Sequence, residues 1–190
     1  DNRLEKDYLP RQLSGQVLDV YDFKEINMNE GDWLILARTN PLLKQVPLIL
    51  KNKGFFFETK DGQSISKKFY DDILNWDKFR KGEEIAEVQL HRLLEKIKGK
   101  PNKSLKWYDA FTNVSQEKID YVFKMIINGE DLSKPPRIKI STIHSAKGGE
   151  ATNVVLFLNQ TINTMRAANK SVWKQDEEYR VWYVGVTRAI

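Results

Sequence analysis

The run Ile140–Glu150, ISTIHSAKGGE, brings Thr142, His144, Ser145, Lys147 and Glu150 together around Gly148 and Gly149. Hydroxyls, an imidazole and an ammonium are donors suited to phosphate oxygens. Glycine lets a backbone come close to a ligand. Thr142, His144 and Ser145 suit a nucleic-acid strand, because short polar side chains grip its backbone without reading sequence. Glu150 is an acceptor only and can hold a ribose hydroxyl. Two arginines stand apart from this run. Arg38 directly follows the apolar run WLILA, and Arg188 lies near the end of YVGVTRA. Arginines from separate elements can stabilise charge on a γ-phosphoryl group in transfer. Each feature also has an ordinary explanation. A surface arginine usually makes an ion pair, two glycines usually make a turn, and Arg180 is spaced to pair with Asp176 or Glu177. The weight rests on their combination.

Composition sets the frame for these residues. The 190 residues fit one domain, or one domain with a modest insertion. A chain of this size buries roughly 70% of its unfolded surface. With 41% hydrophobic and 30% charged residues, it is ordinary for a globular protein. A net charge of +5 leans toward a polyanionic partner. There is no cysteine, which excludes disulfides and thiolate metal sites, and His91 and His144 are the only histidines, so no metal site is expected. No apolar run approaches the ~18 residues of a membrane span, and no signal-peptide pattern opens the chain. A cytoplasmic, reducing location is the expectation. Because Ile190 falls inside a motif, the sequence reads as cut from something longer.

The elements that would position these residues follow from pattern. Gln16–Phe23 alternates and predicts a strand. Trp33–Ala37 is a continuous apolar run, as in a buried parallel strand. Asn40 suits an N-cap and Pro41 a first helical position. Pro47 predicts a break in that helix, and Gly54 its end. Phe55–Glu58 predicts a short strand, completing a β-α-β unit. From Ser66 to Gly129 the pattern is helical. Its stripes are Phe69, Ile73 and Trp76, then Ala86, Leu90, Leu93, Leu94 and Ile97, then Ile119, Val122, Phe123 and Ile126. Trp107, Tyr108 and Phe111 read as core, although a contact with duplex DNA is the open alternative. Arg137–Ile143 and Asn153–Leu158 predict strands, and Thr161–Ser171 a polar mobile stretch. Asp176–Ala189 predicts a helix with Tyr179, Trp182, Tyr183 and Val186 facing inward. The fold class is α/β: a parallel sheet with flanking helices, interrupted by a small helical insertion. Its expected parts are residues 1–65, an insertion at 66–130, and 131–190.

STIHSAKGGE followed by EEYRVWYVGVTRA closely resembles motifs V and VI of UvrD/Rep/PcrA-type superfamily 1 DNA helicases, and WLILARTN resembles motif IV. The resemblance covers both ends of the chain, roughly 32–58 and 137–190. It implies a C-terminal, second RecA-like domain of an ATP-dependent helicase or translocase, with 3′-to-5′ polarity expected. On that resemblance Arg38 and Arg188 reach the γ-phosphate of ATP. Glu150 and Gly148 contact the nucleotide, and Thr142, His144 and Ser145 lie by single-stranded DNA. Tyr183 supports the motif VI helix. The implied cofactors are ATP and Mg²⁺ in a full-length parent, with none bound by this part alone. The implied partners are single-stranded DNA and an N-terminal RecA-like domain. Two positions depart from the family pattern: Ala37 stands where an aromatic is frequent, and Gly149 where leucine is usual.

No G-x-x-x-x-G-K-[ST] phosphate cradle occurs in the sequence, nor an evident acidic Walker B strand. The 190 residues alone are therefore expected to hydrolyse ATP negligibly. An alternative is a non-catalytic nucleic-acid-binding module with a RecA-like fold. A third reading is a structural interaction domain that docks through its helical block.

Overall fold

A computed structural model describes residues 15–190 other than Lys147. Five strands form one sheet in the order β3-β2-β4-β1-β5. These are β1 (Trp33–Ala37), β2 (Phe57–Thr59), β3 (Gly62–Gln63), β4 (Ile138–Thr142) and β5 (Asn153–Phe157). All neighbours are parallel except the β2–β3 hairpin. β1 is central, paired with β4 on one side and β5 on the other. Its side chains alternate between two cores. Ile35 and Ala37 face one, and Leu34 and Leu36 face the other. An apolar run without polar alternation is what a strand covered on both faces requires.

The first face carries α1 (Asn40–Leu43), α2 (Val46–Lys53) and a helical block between β3 and β4. Thr39, not Asn40, occupies the N-cap of α1. Pro47 lies in the first turn of α2, where its missing N–H costs nothing, and the expected break becomes the join between two helices. Gly54 ends α2 at φ 75°, and a Cβ there would sit 2.5 Å from Lys124 Cβ. That close approach seats α2 against the block.

The block comprises α3 (Lys67–Lys81), α4 (Glu87–Leu94), α5 (Trp107–Ala110) and α6 (Gln116–Ile127). Ser66 caps α3 by accepting from Phe69 N. Trp76, Phe111, Val122 and Met125 join Ile35 and Ile138 in one continuous core. The block thus shares its interior with the sheet. Tyr121 ties the two together: its hydroxyl lies 2.6 Å from the Phe55 carbonyl and 2.7 Å from Ser64 Oγ. Phe111 is fully buried in the core, Trp107 packs against it, and the half-buried Tyr108 packs on Phe123 at its edge.

The second face is covered by α8 (Val172–Val186), preceded by α7 (Ile162–Ala168). At Gly185 a Cβ would lie 3.1 Å from Leu156 Cδ1, so glycine lets α8 settle onto the sheet.

Four expectations are corrected. Gln16–Phe23 forms no strand: Tyr21 is 102% exposed, and the segment ends in a 3-10 turn at Phe23–Glu25. Alternation supplies a face but not a ladder partner, and the Asp22 carboxylate accepts from Lys24 N to start the turn. Thr161–Ser171 contains α7, because the Thr161 hydroxyl caps Thr164 N. On α6, Ile126 is 51% exposed, and Tyr121 and Met125 take the inner face with Ile119 and Val122. On α8, Tyr179, Tyr183 and Val186 are exposed, while Glu178 and Gly185 are buried. Among the described residues no helix is long and apolar enough to cross a membrane.

Candidate nucleotide and nucleic-acid site

Arg38 leaves the end of β1 at the carboxyl edge of the sheet, where open α/β sheets bind ligands. Its Nε donates to both Glu178 oxygens, at 2.8 and 3.0 Å. Glu178 comes from α8, and its side chain is 9% exposed. Gln160 Nε2 also donates to it, at 3.3 Å. A buried carboxylate needs such donors to offset its lost hydration. Because Glu178 grips Arg38 only at Nε, both terminal amino groups stay uncommitted to the carboxylate. One of them, Nη1, lies 3.4 Å from His144 Nε2. For the ring to accept there, its proton must sit on Nδ1. Beside Arg38, the buried Thr39 hydroxyl has no hydrogen-bond partner among the described residues.

The loop after β4 is held by its own backbone. Ile143 N donates to Ala37 O at 3.0 Å, continuing the ladder one step past β4. Ala146 N then returns to Thr142 O, and Ser145 N to Thr142 Oγ1. The Thr142 hydroxyl donates to Ser145 Oγ at 3.0 Å. Thr142 is therefore spent on shaping the turn, while His144 and Ser145 are exposed and open to a ligand. Gly148 has φ 84° with open space where a Cβ would point. Lys147 lies outside the described residues, and Glu150 is exposed.

Next to this loop, Asn40, Lys44, Thr59, Lys60, Thr142 and Ser145 line a cavity of about 150 Å³. The Asp61 carboxylate lines it too, so its wall carries charges of both signs. A larger cavity of about 310 Å³ lies by Asn27, Lys53 and Asn128 near the start of β2. Its ammonium, Lys53 Nζ, is occupied by the Lys24 and Ile26 carbonyls.

Arg188 sits at the other end of α8. Its Nε donates to Val184 O at 3.0 Å, one turn back. Its carbonyl accepts from Ala151 N, and Ala151 bridges Ala189 in parallel just before β5 begins. Arg188 is thereby anchored toward the amino end of β5, near Glu150. The two arginines are not brought together: ten residues separate Glu178 from Arg188, on the order of 15 Å along a helix. What the structure assembles instead is Arg38 with Glu178 and His144, joining β1, α8 and the loop after β4.

A family model described as UvrD-like helicase C-terminal domain matches residues 63–190. The chain belongs to that family. No curated protein and no solved structure matches it. The span matched by the UvrD-like model contains the loop after β4, Glu178 and Arg188, whereas Arg38 precedes it. The α/β sheet with flanking helices agrees with a RecA-like domain.

Sequence reasoning missed Glu178 and Gln160. A signal for Glu178 existed, since it stands in phase with Val181, Trp182 and Gly185, the inner stripe of the UvrD-like α8. Its partner lies 140 residues away, beyond the reach of helical spacing. Arg180 pairs with neither Asp176 nor Glu177. Its guanidinium lies 5.8 Å from the Trp173 ring centroid, and Lys174 takes Glu177.

Proposed function

We propose that this domain serves an ATP-driven DNA helicase or translocase, lending arginines to a nucleotide held mainly by a second RecA-like domain. The observation that carries the reading is the Arg38 guanidinium, held between Glu178 of α8 and His144 of the loop after β4. One cation joins α8 to the loop after β4. The donor set fits a triphosphate in part. Among the described residues Arg38 Nη2 and both terminal nitrogens of Arg188 have no acceptor, and Gly148 leaves room for close backbone approach. The phosphate cradle itself is not in this sequence. Among the described residues no group of three His, Cys, Asp or Glu could hold a metal ion, so ligands for Mg²⁺ would come from outside them.

Bound ATP with Mg²⁺ supplies the transferable phosphoryl group. The part of this chain is positioning and charge. Glu178 holds Arg38 by Nε and aims its outer nitrogens. Arg188, held at Nε by Val184 O, presents its terminal nitrogens to a phosphate oxygen. Glu150 accepts from a ribose hydroxyl. His144 and Ser145 meet the DNA backbone, and Thr142 shapes the turn that presents them. The exposed stripe of Tyr179, Tyr183 and Val186 on α8 is the apolar surface that a second domain would cover.

The DNA side is testable on the 190-residue chain by fluorescence anisotropy with an oligothymidylate. Binding weakens as salt rises, because phosphate contacts release counterions. Replacing His144 and Ser145 with alanine together weakens it several-fold. Undetectable binding at low salt, or binding unaffected by the double replacement, contradicts the assignment.

A further inference from the structure

The helical block carries a second cationic centre, unconnected with the arginines above. Asp72 of α3 is 1% exposed and is already paired twice, with Arg92 Nε and with Lys96 Nζ at 2.7 Å. Beside it, Lys118 of α6 holds its ammonium 3.9 Å from the Phe69 ring centroid. Among the described residues Lys118 makes no ion pair and no hydrogen bond to an acceptor. The charges acting on it are Lys96 and Lys51, which repel, and Asp72, whose charge is already shared by two other cations. Burial first and Lys96 second push its pKa below the ordinary lysine value. Asp72 is thus taken by Arg92 and Lys96, and Lys118, over the Phe69 ring one turn earlier on α3, is left without a carboxylate of its own. A half-buried ammonium without an acceptor pays a desolvation cost that an anion would offset. The ring of Phe69 covers one side only.

We infer that Lys118, with Lys96 beside it, forms an anion site on the helical block that takes a phosphate group. The phosphate is either a free ion or part of a nucleic-acid backbone. The site does not depend on the arginine assignments, because it shares no residue with them.

The test is NMR on the 190-residue chain, following the Lys118 ammonium and Phe69 ring signals. Inorganic phosphate is titrated in one arm and an oligothymidylate without terminal phosphate in the other. Shifts with both assign a general phosphate site, and shifts with the oligonucleotide alone assign a backbone site. Lys118→Gln should weaken the responding arm at least about threefold and lower the oligonucleotide salt slope by about 0.7. Lys118→Arg should largely preserve both, and Lys134→Gln, on the turn before β4, should change neither. Unmoved signals in both arms, or equal losses in Lys118→Gln and Lys134→Gln, overturn the inference.

Discussion

Removing either partner of the Arg38–Glu178 pair should destabilise the domain, and by unequal amounts. The Glu178 side chain is 9% exposed and that of Arg38 is 21% exposed. Breaking a fully buried pair costs about 3–5 kcal/mol, and hydrogen bonds to charged groups contribute about 1.5–3 kcal/mol. In Glu178→Ala, Arg38 keeps some access to water, which places the cost near the low end, about 2 kcal/mol. In Arg38→Ala, the more deeply buried carboxylate keeps only Gln160, so the cost rises to about 3 kcal/mol. The double variant avoids an unpaired charge, so a double-mutant cycle should give a coupling of about 1.5–3 kcal/mol. Urea unfolding followed by circular dichroism measures all four proteins. For a chain of this size, 2 kcal/mol corresponds to roughly 4–8 °C in melting temperature. A coupling below about 0.5 kcal/mol, the level of a solvated surface pair, would refute the view that Glu178 holds Arg38.

Further outcomes follow from the packing between sheet and block. Gly54→Ala should cost about 2 kcal/mol or more in urea unfolding, since it adds left-handed strain to a Cβ 2.5 Å from Lys124 Cβ. Tyr121→Phe should cost about 1–3 kcal/mol by the same measurement, because it strips the hydroxyl from the Phe55 carbonyl and Ser64. The Ser133 hydroxyl first, then Lys134, hold Asp131 at about 2, below its ordinary 3.8. A depressed carboxylate contributes stability that is present above pH 3.8 and lost as pH falls through about 2. Asp131→Asn should flatten that part of the melting-temperature profile and leave the profile near pH 7 with the same slope.

The sheet was legible where a segment's own composition settles its state. WLILA and NVVLF are apolar without alternation, and Pro47, Gly54 and Ser66 act within one turn of themselves. What escaped depended on distant partners. QVLDVYDF has the alternation of a strand, yet pairing is decided by a neighbour that sequence does not name. A helix bearing both Val181–Trp182–Gly185 and Tyr179–Tyr183–Val186 offers two stripes. Hydrophobicity favours the aromatic one, but the close approach at Gly185 and the Glu178 pair select the other. The same holds for the site. Its residue types were readable in order, and the structure sets His144, Ser145 and Glu150 in the loop after β4. The meeting of Arg38 with Glu178 and His144 arises only when β1, α8 and that loop fold together. The separation of Arg38 from Arg188 likewise follows from the run of α8 across the sheet, which spacing along the chain does not convey.

We propose that Arg188 acts on a phosphoryl group held by another domain. The most direct test is the DNA-stimulated ATPase of the protein that joins this domain to a Walker A half, comparing wild type with Arg188→Ala. The account predicts a loss in turnover of about 10³-fold or more, with single-stranded DNA affinity in the absence of nucleotide little changed. Turnover near wild type in Arg188→Ala would contradict it.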